Sequence, residues 1–414
     1  MDTKERESDR RVFLRNSALA MVGIGAAPVW LTRALYAADA PSPRKKILVA
    51  IFQRGAADGL NIVVPHGEKA YYDLRPTIAI PRPGSAGADA AIDLDGFFGL
   101  HPSLAPLKPL FDTKALAIVD AAGSPDPTRS HFDAQDYMES GTPGVKATGD
   151  GWMNRALPKE RGRPSPVRAV ALGATLPRSM AGRNPAVAVE TISSFQVQDA
   201  TAGKTFQQMY TEAADPLVRA AGRETFEAVA TLQAVRKQTY TPAAEYPRGR
   251  LGDSLKQIAQ LIKARVGVEL AFADVGGWDH HVNEAGQLAT LLREYGQALA
   301  AFWQDMGDLM ADVVVVTMSE FGRTARENGD RGTDHGHANC MFVMGGDVKG
   351  GKVYTRWPGL SEGQLNQGRD LAVTTDYRSV LGEIISTHLG DKNLNKVFPG
   401  YANDPRQFLG LLKT

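Results

Sequence analysis

Hydrophobic positions in this chain fall mostly into short unbroken runs rather than alternating ones. Lys46–Phe52 (KILVAIF), Leu116–Asp120, Val167–Leu172, Ala186–Val189, Val266–Phe272, Val313–Thr317 and Cys340–Met344 each read as a strand buried on both faces. Between them lie helical patterns. Leu288, Leu291, Leu292, Tyr295, Leu299, Phe302 and Met306 recur at helical spacing and predict a long amphipathic helix over Glu284–Met310. Shorter helices are predicted over Leu104–Leu110, up to Glu139 before Gly141, over Leu251–Ala264 with Asp253 as cap, and over Arg378–His388 with Thr374 or Thr375 as cap. A polar-faced helical stretch from about Thr205 to Tyr240 reads as a cap, so 200–245 is expected to be a helical insertion. Strands alternating with helices predict an α/β fold with a mostly parallel sheet and helices on both faces.

The amino terminus breaks this pattern. Arg10-Arg11-Val12-Phe13-Leu14 precedes a weakly apolar segment from Ala18 to Leu31, the arrangement of a twin-arginine export signal. Residues 1–38 are therefore expected to be a signal peptide, read by the twin-arginine translocase, and 44–414 the mature α/β domain. That places the protein in the periplasm or otherwise outside the cytoplasm. The apolar segment falls short of the ~20 residues a stable membrane span needs.

Charge narrows the function classes. Forty-seven basic and 46 acidic residues give a net charge of +1, which leaves no footprint for nucleic acid or an anionic membrane. A single cysteine, Cys340, excludes an internal disulfide framework; at the start of an apolar run it reads as a small buried hydrophobe. No G-x-S-x-G elbow, Walker loop or dinucleotide-binding glycine fingerprint occurs. Gly252-Asp253-Ser254-Leu255 spells a lipase nucleophile motif, but it opens a mid-chain helix instead of following an early strand, and is set aside.

Chemistry gathers after the strands. Asp279, His280 and His281 follow one run, Ser319, Glu320 and Arg323 another, and Asp334, His335 and His337 precede a third. Ligands bind at the carboxyl ends of strands in open α/β sheets. Imidazole with carboxylate suits zinc and other divalent first-row metals. Asp58 lies in the small-residue turn after the first strand. Ser130 stands at a helix start, where the hydroxyl either caps the helix or meets an anion.

The arginine signal, RGAADGLN, SHFDAQ, GWDHH, MSEFGRT and DHGHAN, in this order, together resemble the exported DUF1501 family, placed near the sulfatases and alkaline phosphatases. The resemblance implies an alkaline-phosphatase-like fold and metal ligands drawn from Asp58, Asp279, His280, His281, Glu320, His335 and His337. It places Ser130 where a nucleophile stands. Glu320-Phe321 occupies the place of an Asp-His pair, which removes one imidazole from a two-metal centre. Arg129 and Arg323, with Arg54, are candidates for holding an anion, since guanidinium matches phosphate and sulfate oxygens. Two functions follow as expectations: an exported hydrolase of small phosphate or sulfate esters using a divalent ion such as zinc, calcium or manganese, or a non-catalytic periplasmic binding or assembly protein on the same fold.

Overall fold

A computed structural model describes residues 45–158, 164–193, 210, 212, 215–402 and 404–413. The export signal and the start of the expected insertion lie outside the described residues. Nine strands form the main sheet: β1 (Ile47–Gln53), β2 (Leu116–Gly123), β3 (Ala169–Leu172), β4 (Val187–Val189), β5 (Leu270–Val275), β6 (Val313–Ser319), β7 (Asn339–Gly345), β8 (Lys352–Tyr354) and β9 (Thr375–Asp376). Their order is β8-β2-β7-β6-β1-β5-β3-β4, with β9 also pairing with β2. β7 alone pairs antiparallel, with β2 and β6; every other pairing is parallel.

The unbroken apolar runs have a direct cause. β1 is central, and its seven residues are all buried. Ile47, Val49 and Ile51 face one core, Leu48, Ala50 and Phe52 the other. With both faces covered, the only polar side chain of this strand is Gln53 at its carboxyl end. The first core is closed by α4 (Arg250–Lys263) and α5 (Glu284–Met306), through Leu255, Ile258, Leu292 and Leu299. The second is closed by α2 (Trp152–Ala156) and α6 (Tyr377–Thr387), through Trp152, Val380, Leu381 and Ile384. Between these come α1 (His131–Ser140) and α3 (Pro216–Lys237), the latter being the described part of the expected insertion. The protein is α/β with helices on both faces of a mostly parallel sheet, as the sequence predicts.

Several boundaries differ. The strand expected from Val266 begins at Leu270, because Arg265 and Gly267 both take positive φ and turn the chain first. Asp253 lies inside the first turn of α4, whose cap is Gly249. Asp376, rather than either threonine, caps α6 by accepting from Arg378 N. The expected helix over Leu104–Leu110 is a 3₁₀ segment followed by a short helix at Lys108–Asp112, divided at Pro106 and Pro109.

One edge of the sheet collects the loops that follow β1, β2, β5 and β6. Because β7 is reversed, its amino-terminal end lies on that edge too. A site built from residues after one strand and before another is thereby brought to one place.

A candidate metal centre at the sheet edge

Three histidines converge there. His131 opens α1, His281 follows β5, and His335 precedes β7. His335 Nε2 lies 3.0 Å from His131 Nε2 and 3.1 Å from His281 Nε2. Asp279 joins them, its Oδ1 at 2.9 Å from His281 Nε2 and 3.2 Å from His335 Nε2, its Oδ2 at 3.4 Å from His131 Nε2.

The far side of each ring decides what the near side presents. His131 Nδ1 meets Glu320 Oε1 at 2.8 Å, His281 Nδ1 meets Asp334 Oδ1 at 3.1 Å, and His335 Nδ1 meets the Arg129 carbonyl at 2.9 Å. A carbonyl or carboxylate oxygen only accepts, so each Nδ1 carries the proton and donates it. In the neutral imidazole the proton on Nδ1 leaves Nε2 as a bare lone pair. Three lone pairs and a carboxylate therefore face one another, an arrangement that repels unless a cation lies between them. Ring orientation by a carboxylate or carbonyl behind each histidine is the usual second layer of a metal site. The 3.0 and 3.1 Å separations suit two nitrogens each about 2.1 Å from one ion. His131, Asp279 and His335 place ligand atoms within 4.8 Å of one another.

The supporting carboxylates are held in the ionised form. Glu320 is buried, which opposes its charge. Hydrogen bonds from His131, from Gln135 Nε2 at 2.8 Å and from Gly55 N at 2.8 Å outweigh that and lower its pKa. Asp334 and Asp279 are likewise lowered against burial, by His281 and Arg323 respectively. His131 is raised, chiefly by its bond to Glu320; His335 is lowered, chiefly by burial. Phe321 forms an apolar floor, its ring centroid 5.0 Å from that of His131 and 5.2 Å from that of His335.

Two glycines make the close approach possible. Gly55, at φ +118°, packs so tightly on the following loop that a Cβ would sit 2.9 Å from Asp279 N. A Cβ on Gly336 would strike the Arg323 carbonyl at 2.2 Å. A side chain at either position would force the loops carrying Glu320, Asp279 and His335 apart.

The expected site residues thus divide. Asp279, His281 and His335 meet as potential ligands. Glu320 stands behind them, its Oε1 engaged by three protein donors. Asp58 does not join the cluster. It is buried and forms a two-pronged ion pair with Arg75, one bond at 2.9 Å. Burial opposes its charge, but Arg75 prevails and keeps its pKa low. His280 points into the protein, is held neutral by burial, and lies outside the cluster. His337 is also outside it; its carbonyl accepts from Gly322 N. Adjacent residues on an extended segment point in opposite directions, so only one of His280 and His281 is aimed at the cluster. Ser130 caps α1, its Oγ accepting from Asp133 N at 3.5 Å. Arg129 is engaged by Asp370 and Gln367. Arg323 donates to Asp279 at 2.6 Å and twice to Thr333. His131 was not among the expected ligands. Its signal is its place directly after Ser130, in the segment that follows the LAIVD strand.

The fold and site together define an α/β protein with a candidate metal centre of His131, Asp279 and His335, with His281 beside it, at one edge of its sheet. The chain belongs to the DUF1501 family, described as a protein family of unknown function, whose model matches residues 114–393. No curated protein matches the sequence. Solved structures similar to it include the C-terminal periplasmic domain of EcEptC from Escherichia coli in complex with Zn, at 10% identity over 74% of each chain and a TM-score of 0.33. Alkaline phosphatase from the Antarctic bacterium TAB5 matches at 10% identity over 73% of this chain and 92% of that one, with a TM-score of 0.32. Thermus thermophilus alkaline phosphatase matches at 15% identity over 72% and 64%, with a TM-score of 0.30.

Proposed function

We infer that this protein is an exported, metal-dependent hydrolase of phosphate or sulfate esters with a single divalent ion held by His131, Asp279 and His335. The observation that supports this reading is the pinning of the His131 and His335 imidazoles by acceptors behind them, so that two Nε2 lone pairs and the Asp279 carboxylate converge, with His281 beside them. A divalent cation there supplies Lewis acidity toward ester and water oxygens. The chain's own part is to orient and to exclude. Arg323 fixes the Asp279 carboxylate, Glu320 and Asp334 fix two of the rings, and Phe321 keeps water from beneath them. Among the residues predicted from the DUF1501 resemblance, no second ligand set survives, because Asp58 is committed to Arg75 and Glu320 to three donors.

One observation favours a second reading, a metal-binding protein without turnover. The Ser130 hydroxyl is turned back on its own helix rather than toward the cluster. The same experiment separates the two. Protein purified without added metal is analysed for zinc and manganese, then assayed on aryl phosphate and aryl sulfate esters, beside His335→Ala. Near-stoichiometric metal that His335→Ala abolishes, together with ester hydrolysis, is the expected result. Metal without hydrolysis of either ester selects the binding protein. Failure of the wild type to take up either ion would overturn both readings.

A further inference from the structure

The oxygen ligand is the least anchored member of the cluster. The Asp279 side chain is 42% exposed, and apart from the surrounding histidines Arg323 is the only side chain among the described residues that bonds to it. What holds Arg323 therefore decides where Asp279 stands. The guanidinium is fully buried and carries its donors in a rigid planar fork. Its Nε donates to Thr333 Oγ1 at 3.0 Å and its Nη2 to the Thr333 carbonyl, so a single residue grips one edge of the plane. The remaining nitrogen, Nη1, donates to Asp279 Oδ1 at 2.6 Å.

Thr333 is itself held by two further elements. It is completely buried, in the segment between β6 and β7. Its N–H donates to the His280 carbonyl at 3.1 Å, which ties it to the loop after β5. Its hydroxyl has one proton, and an arginine offers no lone pair to receive it. That proton goes to Glu284 Oε2, 2.7 Å away in the first turn of α5, which leaves a Thr333 Oγ1 lone pair for Arg323. Glu284 is fully buried, and burial together with the Asp58 carboxylate beside it pushes its pKa well above the usual range. As a neutral acid it donates to Asp58 and keeps its other oxygen for Thr333. Asp58, expected as a ligand, thus stands at the far end of a chain of hydrogen bonds that runs through Glu284, Thr333 and Arg323 to Asp279.

We propose that Thr333 is a positioning residue of the metal centre: by holding Arg323 along one edge, it sets the Asp279 carboxylate against His131 and His335. This inference rests on the reading of those three residues as ligands of one divalent ion. Without the hydroxyl, one of the two bonds that fix the guanidinium plane is lost, and the half-exposed carboxylate loses its fixed direction with it.

Zinc affinity tests this, measured by competition with a chromophoric chelator, with circular dichroism to verify folding. The proteins are the wild type, Thr333→Val, Thr333→Ser, Arg323→Lys and the double variant Arg323→Lys/Thr333→Val. Thr333→Val keeps the shape and removes the hydroxyl, and should bind zinc about tenfold more weakly, as when an outer partner of a metal ligand is lost. Thr333→Ser restores the hydroxyl and should stay near the wild type. In the Arg323→Lys background the valine should add little further loss, because the fork through which Thr333 acts is already gone. Undiminished affinity in folded Thr333→Val, an equal loss in Thr333→Ser, or the full loss repeated in the Arg323→Lys background overturns the proposal. Should Thr333→Val fail to fold, Arg323→Lys decides: an ammonium cannot hold both Thr333 oxygens and Asp279 in one plane, so unchanged affinity there also overturns it. A wild type that takes up no zinc overturns the metal centre as well, whereas a zinc-binding wild type matched by Thr333→Val removes this inference alone.

Discussion

Glu320→Gln is the sharpest test of the metal centre, because it removes a charge and almost nothing else. The Glu320 side chain is fully buried. Its Oε1 accepts from Gly55 N, Gln135 and His131, all at 2.8 Å, and a glutamine oxygen can accept the same three. The amide nitrogen would replace Oε2 and face Ser319 Oγ, which already donates to Gln53 O at 2.7 Å and can accept from the new N–H. The fold should survive. What changes is the basicity of His131. A hydrogen bond to a charged group contributes about 1.5–3 kcal/mol and a neutral one about 0.5–1.5, so roughly 1–1.5 kcal/mol is lost from the imidazole's support. That converts to about tenfold in metal affinity. It sits at the lower end of the 10–100-fold usually lost when such an outer partner is changed. The assay is competition for zinc against a chromophoric chelator, with circular dichroism to verify folding. Asp334→Asn serves as the internal comparison: its carboxylate is 52% exposed, solvent screens it, and the loss should be smaller. Unchanged zinc affinity in folded Glu320→Gln, or a larger loss in Asp334→Asn, would refute the argument that these carboxylates support metal ligands.

Three further outcomes are expected. Ser130→Ala should cost at most about 1 kcal/mol of stability, since the cap bond is a long 3.5 Å, and should leave metal content and ester turnover within a few-fold; a loss of several orders of magnitude would put the hydroxyl in the chemistry. Asp120 is buried with Oδ2 unbonded, and burial pushes its pKa up to about 7. Its raised value means the folded state holds a proton that the unfolded state has released, so stability falls from about pH 4 to pH 7. Asp120→Asn should therefore melt progressively higher than the wild type across that window, and a constant difference would contradict the assignment. Replacing Arg10 and Arg11 by Lys should leave precursor in the cytoplasm on cell fractionation, and undiminished export would remove the twin-arginine reading.

The sheet was legible in the sequence because burial on both faces forces unbroken apolar runs, and no other common architecture writes Val313–Thr317 as VVVVT. Asp279, His281 and His335 were legible because ligands gather where such runs end. What local pattern does not carry is pairing at a distance. Nothing around Asp58 announces that Arg75 will fill it, since the ion pair depends on how a separate short helix folds back over the strand end. Likewise, Glu320 reads as a ligand until the donors surrounding it are known. The choice between adjacent histidines turns on a single residue of register, and there a motif is silent. His131 shows the complementary difficulty: a residue beside a conspicuous serine is easily taken for its companion.

The reversed strand β7 has a consequence for how this site tolerates change. A parallel neighbour of β6 would have required the chain to travel the length of the sheet before contributing again. Instead, the segment from Glu320 to Ala338 leaves and re-enters at the same edge, pinned at its base by the reciprocal bonds of Gly322 with His337 and Gly336. The spacing between Glu320 and His335 is therefore anchored to the gap between two hydrogen-bonded strands, about 4.8 Å, and is independent of the length of the segment's tip. The tip around Asn328–Arg331 is held separately, by Asn328 Nδ2 on the His281 carbonyl and by the Asp330 and Arg331 carbonyls, which accept from Asn283 N and Glu284 N. One excursion thus sets the base of the site against β6 and ties its far end to the loop after β5, so the two loops that carry His281 and His335 are held in register with each other.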